Sequence, residues 1–276
     1  MDSFIKISVC NTAESLLKFN EPYYFVVMMD GNASFSIDFN PHDTYGKHIL
    51  FLSPYQLLNW NFGDSKNIRI LQFHGDFYCI EYHKVEVACN GILFNNIYEK
   101  PFISVEDDFF DEITMLFDKI AKFGDVIQNY DLAIVRTYLQ LILALCSKEK
   151  QSTQKSIEKS LKKPDIFNFR TMLDTHFASS KSVVFYANLH GLSVNAFSKK
   201  VKKNYGKAPS KLIQERLILE AKRLLHLTNK NIKEISAELG FEDEFYFSRY
   251  FKKEVGVSPK TFRQEVGISI VAEKSM

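Results

Sequence analysis

The sequence predicts a two-domain α+β protein with a β-rich N-terminal domain and an all-helical C-terminal domain. Short β-branched and aromatic runs, separated by glycine and proline, fill residues 20–100. Apolar residues at helical spacing follow at 105–147, and a helical pattern that occurs twice fills the remainder. The 276 residues suffice for two domains of about 100–200 residues each. We therefore expect an N-terminal domain at 1–150, a linker at 151–164 and a C-terminal domain at 165–270.

The N-terminal runs are typical of short antiparallel strands. "PYYFVVMMDG" and "NASFSIDFN" meet at Asp30-Gly31, a dipeptide that favours a hairpin turn. Many short strands with regular turns predict an antiparallel barrel or sandwich. Ser104 and Asp107 resemble a capping box ahead of a first helix, and "YDLAIVRTYLQLILALCSK" predicts a second. Helices this apolar must pack on the β-domain or on a second subunit, so we expect an interface here.

Charge is distributed unevenly along the chain. Residues 1–147 hold 10 Lys/Arg and 19 Asp/Glu, whereas residues 165–276 hold 19 and 12. A basic C-terminal part favours a polyanionic partner. The stretch "KEKQSTQKSIEKSLKKPD" between them is polar and basic, which is typical of a solvated linker. No apolar run reaches the ~20 residues of a membrane span, and the first residues lack a signal-peptide pattern. We expect a cytoplasmic protein without a membrane partner.

The residue patterns of common enzymes are missing from the sequence. It contains no G-x-S-x-G, P-loop or G-x-G-x-x-G pattern. His74, Cys79, His83 and Cys89 lie close together, but their spacing matches no common zinc site, and strand alternation would separate their side chains. We therefore expect no catalytic residues, no metal and no cofactor.

The C-terminal region contains one unit twice, fifty residues apart. "FSKKVKKNYGKAP" aligns with "FSRYFKKEVGVSP". In each copy a short helix reaches a glycine turn, at Gly191 or Gly240, and a second helix begins after a capping residue, Ser193 or Asp243. This is the pattern of a helix-turn-helix motif, whose second helix can enter the major groove of DNA. Two copies bridged by "PSKLIQERLILEAKRLL" are far more specific than one.

On these motifs, residues 165–265 resemble the DNA-binding domain of the AraC/XylS family of bacterial transcription regulators. "ISAELGF", "RLILEAKRLL" and "FYFSRYFKKEVGVSPKTFR" carry the resemblance. It implies two helix-turn-helix motifs joined by a long helix. The domain order common in the family implies an N-terminal cupin-like β-barrel followed by helices that dimerise. The implied protein is a transcription regulator, expected to be an activator, with double-stranded DNA, RNA polymerase, a second copy of itself and a small-molecule effector as partners.

The resemblance also implies which residues meet DNA. Positions that reach base edges or the nearby backbone in family members correspond to Val194, Asn195, Ser198, Lys199, Glu244, Phe245, Tyr246, Ser248 and Arg249. Five lysines should instead contact phosphates, which hold register without reading sequence: Lys200, Lys202, Lys203, Lys252 and Lys253. Arg249 and Lys199 can donate to guanine, and Asn195 can pair with adenine. The resemblance assigns no residues to the effector site.

The second recognition helix combines an apolar side with an acidic start. The residues at i, i+3 and i+4 should face the core: Phe247, Tyr250 and Phe251. Three carboxylates stand where this helix should approach DNA: Glu242, Asp243 and Glu244. They suit the positive end of the helix dipole, and Glu244 can accept a hydrogen bond from cytosine N4. If neither applies, the second motif should bind DNA more weakly than the first.

Two other functions stay open at this stage. The β-domain can be a small-molecule enzyme or storage domain that the C-terminal domain tethers to DNA, and turnover by residues 1–150 would favour that function. Alternatively, the protein is a ligand-independent regulator whose β-domain only assembles the dimer. DNA affinity that no metabolite changes would favour this third function.

Overall fold

The computed structural model describes residues 4–10, 21–38, 40–64, 66–78, 92–94, 96–124, 129–160 and 168–268. The chain divides into two compact units. The first comprises Met1–Asn96 and Lys100–Ser160, and the second comprises Ile97–Glu99 and Leu161–Met276. The division after residue 160 falls within the segment expected to be a linker.

The N-terminal unit contains two antiparallel sheets. Its described strands are β1 (Ile5–Cys10), β2 (Tyr23–Asp30), β3 (Ala33–Ile37), β4 (Asn40–Thr44), β5 (Lys47–Leu52), β6 (Leu58–Gly63), β7 (Lys66–His74) and β8 (Phe102–Ser104). One sheet has the order β1-β7-β2-β5-β8 and the other the order β4-β3-β6. In the described residues no ladder joins the two sheets. The unit is therefore a pair of antiparallel sheets and not the cupin-like barrel that the resemblance implied. The sandwich that the strand pattern left open agrees with this arrangement. β1 precedes the region in which strands were predicted.

The chain passes between the two sheets at a pair of glycines. Gly31 and Gly46 have φ of 133° and 71°, and the Gly31 amide donates to the Gly46 carbonyl at 3.2 Å. Between them, β3 and β4 form a hairpin of the small sheet. The predicted hairpin at Asp30-Gly31 is therefore wrong. β2 pairs instead with β5 and β7, since a strand with a nearly continuous apolar sequence needs cover on both faces.

Alternate residues of the central strands supply two different cores. Phe25 and Val27 of β2 are buried between the two sheets. Val26 and Met28 point to the opposite face, into a core shared with the helices. This follows from the two-residue period of a strand, and it makes the large sheet the central layer of the unit.

Two helices cover the outer face of the large sheet: α1 (Asp107–Ala121) and α2 (Asn129–Ser160). Phe117 of α1 and Leu139 of α2 are fully buried in the shared core. Both helices therefore pack on the β-domain. The predicted capping box is wrong, because α1 begins after Glu106, whose side chain makes no capping hydrogen bond.

Helix α2 is longer than predicted and continues to Ser160, well into the segment 151–164. Lys, Glu and Gln are good helix formers, so a polar sequence can extend a helix that its apolar first half has already nucleated. Over Tyr130–Thr153 this helix is long and apolar enough to cross a membrane by length and composition alone. Core helices of soluble proteins share these two properties.

The C-terminal unit is helical, as predicted. Its described helices are α3 (Phe169–His176), α4 (Val183–Leu189), α5 (Val194–Tyr205), α6 (Pro209–Leu227), α7 (Ile232–Glu238), α8 (Glu244–Val255) and α9 (Pro259–Val266). Phe169 and Phe197 lie in the core of the first half, with ring centroids 5.4 Å apart. Tyr98 packs against this core and donates to the Asp174 carboxylate at 3.1 Å.

Truncation of a core residue should destabilise the N-terminal unit strongly. Phe51 is 1% exposed, so Phe51→Ala should lower the free energy of unfolding by about 3–5 kcal/mol. Trp60, the single tryptophan of the chain, stacks on Phe35 in this unit, so its fluorescence in a urea titration reports the unit selectively. The control Tyr45→Ala removes a side chain that is 76% exposed and should cost less than about 0.5 kcal/mol. Equal losses in both variants would contradict the assigned core.

Candidate nucleic-acid interface

The first helix-turn-helix motif consists of α4, a glycine turn and α5. Gly191 adopts a left-handed φ of 62°, and the Leu192 amide donates to the Ala187 carbonyl at 3.0 Å. The Ser193 hydroxyl then accepts from the Ala196 amide at 3.3 Å. The predicted turn and capping residue are confirmed.

The second motif, α7 and α8, has the same construction with a turn one residue longer. Gly240 has a φ of 68°. The Asp243 carboxylate accepts from the amides of Phe245 and Tyr246 at 3.1 and 2.9 Å. Asp243 is therefore the predicted N-cap, and its negative charge lies at the positive end of the helix. Of its acidic neighbours, Glu242 is exposed and Glu244 is half-buried in the first turn.

Both recognition helices end in the same way. Gly206 follows α5 and Gly256 follows α8, each with a left-handed backbone, at φ of 72° and 91°. Pro209 and Pro259 then occupy the first turn of the next helix. Glycine after a helix and proline at a helix start are the favoured stop and start residues. The two copies predicted at an offset of fifty residues are thus the same structural unit.

One side of α8 is buried. Phe247 and Phe251 are 1% and 0% exposed, which confirms the prediction that they face the core. Tyr250 lies at the edge of this side, half-buried, with its ring centroid 5.4 Å from that of Phe241. Because successive residues are about 100° apart around a helix, the buried side fixes which residues point away from the core.

The opposite side of α8 is open to solvent. Phe245 and Tyr246 are 69% and 55% exposed. The other exposed residues of this side are basic: Arg249, Lys252 and Lys253. Ser248 is half-buried at the edge. Two adjacent aromatic side chains that are exposed among cations suit contact with a partner.

Helix α5 repeats this arrangement. Phe197 and Val201 are fully buried. The exposed residues are Val194, Asn195, Ala196, Lys199, Lys200, Lys202, Lys203 and Asn204. Ser198 is half-buried, as Ser248 is in α8. The structure therefore brings the residues predicted to contact DNA to the outer side or the edge of the two helices.

One cation in each of these helices is available to a partner. In the part of the chain that the structure describes, neither Lys199 nor Arg249 forms an ion pair. The positive charge of α5 also acts on His190, which lies in the turn between α4 and α5. Burial lowers the pKa of His190 most, and the charge of Lys200 lowers it further. The outer surface of α5 is therefore electropositive and suits an anionic ligand.

Sequence reasoning missed an ionic network on α6. Arg216 donates to Asp174 of α3 at 2.8 Å and to Glu220 at 3.1 Å, and Arg223 also binds Glu220. Burial acts to raise the pKa of Glu220, but hydrogen bonds and charges from Arg223 and Arg216 outweigh it and hold the pKa below its usual value. The i, i+3 and i+4 spacing of these charges was the available signal.

Metal ligands are not grouped in the described residues, where no cluster of three or more His, Cys, Asp or Glu could hold an ion. Cys79, His83 and Cys89 of the candidate zinc set lie outside the described residues.

Comparison with known proteins identifies the motif-bearing region. A family model for a helix-turn-helix domain matches residues 186–265. The HTH-type transcriptional activator RhaS of Escherichia coli (strain K12 / DH10B) is 27% identical over 127 residues, which cover 46% of this chain and 44% of RhaS. These matches confirm the predicted resemblance of the C-terminal unit to the helix-turn-helix domains of the AraC/XylS family. The matched part thus spans less than half the length of that relative.

Two solved structures are similar to parts or most of this chain. The C-terminal domain of AraT, a response regulator from Geobacillus stearothermophilus, is 28% identical, covers 39% of this chain and 90% of its own, and has a TM-score of 0.36. ToxT from Vibrio cholerae is 16% identical, covers 97% of both chains and has a TM-score of 0.41.

The two turn glycines of the AraC/XylS-type domain should differ in their tolerance of alanine. Both have a left-handed φ, which costs a non-glycine residue about 1–2 kcal/mol. An added Cβ at Gly191 meets nothing within 4 Å, whereas at Gly240 it would lie 2.1 Å from the Ala178 carbonyl oxygen. Gly240→Ala should therefore lower the thermal midpoint, followed by circular dichroism, clearly more than Gly191→Ala. Equal losses would mean that Ala178 does not lie against this turn.

Proposed function

We propose that this protein is a sequence-specific DNA-binding transcription regulator that places α5 and α8 in successive major grooves on one face of the duplex, about 34 Å apart. One observation supports the proposal most strongly: the two copies of the motif expose equivalent rows of side chains on the outer sides of α5 and α8. These are Asn195, Lys199 and Lys202 on α5, and Phe245, Arg249 and Lys252 on α8. A single basic helix would support only nonspecific binding, whereas two matched helices support a defined site.

The outward residues have the chemistry for reading bases. Arg249 and Lys199 carry donors that match guanine O6 and N7, and Asn195 matches adenine N6 and N7. Phe245 and Tyr246 can contact a thymine methyl group or a sugar through their exposed rings. The two helices therefore read different sequences, with mixed polar and apolar contacts from α8.

The remaining cations position the protein on the duplex. Lysines near the C-terminal ends of the two helices suit phosphates, which set affinity and register without sequence information: Lys200, Lys202, Lys203, Lys252 and Lys253. All five side chains are exposed on the two helices.

The acidic start of α8 is compatible with this binding mode. Because Asp243 already accepts two amide hydrogen bonds of its own helix, its charge is offset locally. Glu244 in the first turn can accept from cytosine N4. We therefore assign both motifs to DNA, rather than the first alone.

We assign regulation and assembly to the N-terminal unit. Three apolar residues of α2 point outward, with Tyr130, Ile134 and Leu141 at 91%, 45% and 42% exposure. Their spacing places them along one side of the helix, which suits a second copy of the chain. A small-molecule effector of this unit, action in the cytoplasm and contact with RNA polymerase as an activator complete the proposal, and the name of the relative RhaS supports the activator role.

Removal of one base-reading cation from each motif should abolish site selection. Full-length protein is incubated with a random-sequence duplex library, and bound DNA is sequenced. Wild type should enrich two short blocks about one helical turn apart. The double variant Arg249→Ala, Lys199→Ala should lose the common sequence, because truncation of a good base contact costs about 1–3 kcal/mol.

A charge-matched control separates base reading from charge loss. Lys6→Ala, Lys122→Ala removes two exposed cations from the N-terminal unit and should select the same blocks as wild type. Selection of an unchanged site by the Arg249 and Lys199 variant would contradict the assigned residues. Failure of wild type to enrich any sequence would contradict the function itself.

A further inference from the structure

The loop between α3 and α4 reaches across the C-terminal unit to the turn of the second motif. Lys181 Nζ donates to the Gly240 carbonyl at 2.5 Å. The same nitrogen lies 4.1 Å from the centroid of the Phe241 ring. The contact therefore joins a residue just before the first motif to the turn of the second, 59 residues along the chain.

The backbones also meet closely at this point. A Cβ at Gly240 would lie 2.1 Å from the Ala178 carbonyl oxygen. Glycine therefore meets two requirements here, a left-handed φ and the absence of a side chain. The equivalent Gly191 of the first motif has open space around it. Of the two motifs, the second alone has this close approach of a neighbouring backbone to its turn glycine. The turn itself does not require it.

Phe241 connects the Lys181 contact with the recognition helix α8, because it also packs against that helix. Its ring centroid lies 5.8 Å from that of Tyr246 and 5.2 Å from that of Phe247, both on α8. Lys181 therefore contacts a residue that packs directly on α8. Lys181 itself is exposed, and partial burial of its amine at this contact lowers its pKa.

The contact supplements the single covalent connection between the motifs. The core of the first motif, as described, draws on α3 to α6, and the chain reaches the second motif through α6. Helices α7, α8 and α9 also pack on α6. The Lys181 contact lies away from these α6 contacts and adds a further restriction on rotation of the second motif about α6.

We propose that Lys181 and Ala178 form a clasp on the Gly240 turn that fixes the position of α8 relative to α5, and thereby the spacing of the two DNA blocks that the protein accepts. The inference rests on the proposed function, because it concerns the geometry of the same interface. Lys181 is a positioning residue here: it acts on DNA through Phe241 and α8.

The test measures spacing selectivity in full-length protein. The probes are duplexes that carry the two blocks enriched by wild type, with the spacer unchanged, shortened or lengthened by one base pair. One base pair rotates a block by about a tenth of a turn. Wild type should prefer the selected spacing by about tenfold, which is the order of a single mismatch. Lys181→Met should reduce this preference to about twofold.

Two further variants make the outcome specific. Lys181→Arg keeps a cation and a donor and should retain most of the preference. Lys260→Met removes an exposed lysine of α9 and should leave the preference unchanged. Thermal unfolding by circular dichroism confirms that each variant is folded. If Lys181→Met does not fold, Lys181→Arg and Lys181→Gln are compared instead, and Gln should lose more of the preference.

Opposite results would overturn the inference in distinguishable ways. Equal weakening of all three spacers by Lys181→Met would show that Lys181 only neutralises phosphate, and the clasp would be rejected while the proposed function stands. An unchanged preference would reject the clasp as well. If wild type enriches no two-block site, the proposed function fails and this inference fails with it.

Discussion

The position of one buried aromatic residue in each recognition helix determines the surface that is proposed to contact DNA. Phe197 and Phe247 are 0% and 1% exposed at equivalent positions. With an apolar residue one turn later, each fixes the rotation of its helix about the axis, because the helical period leaves a single orientation that buries both. The outward stripe follows from this constraint. Lys199 and Arg249 face solvent because Phe197 and Phe247 face the core.

The residues at the helix ends determine where each recognition helix begins and ends. Ser193 and Asp243 start the two helices, and Gly206 and Gly256 end them. The outward residues therefore occupy matching heights along both helices. The capping role of Asp243 also explains why an acidic residue lies near the proposed interface, because Asp243 stabilises the helix that carries Phe245 and Arg249. Capping and DNA binding are compatible because they use different faces of the first turn.

Local signals made much of this interface predictable from the sequence. These signals act over a few residues: the capping residues, the glycines that end the helices, and the spacing of Phe247 and Phe251. Because the motif occurs twice, fifty residues apart, the same signals in one copy support their interpretation in the other. Long-range features were missed. The strand pattern left a barrel and a sandwich open, because the choice depends on which strands pair across the chain. The contact of Lys181 with Gly240 depends on how two motifs pack. The helix end at Ser160 was missed because a polar composition was equated with a linker, although Lys, Glu and Gln favour helices.

The central claim is that two matched helices occupy successive major grooves on one face of the duplex. A hydroxyl-radical footprint of the full-length protein on a site enriched by wild type tests it most directly, because cleavage reports protection of each sugar. The account predicts two protected blocks with centres about 10 base pairs apart on the same face. A single protected block would show that only one motif binds, and uniform protection along the duplex would show binding without a defined register.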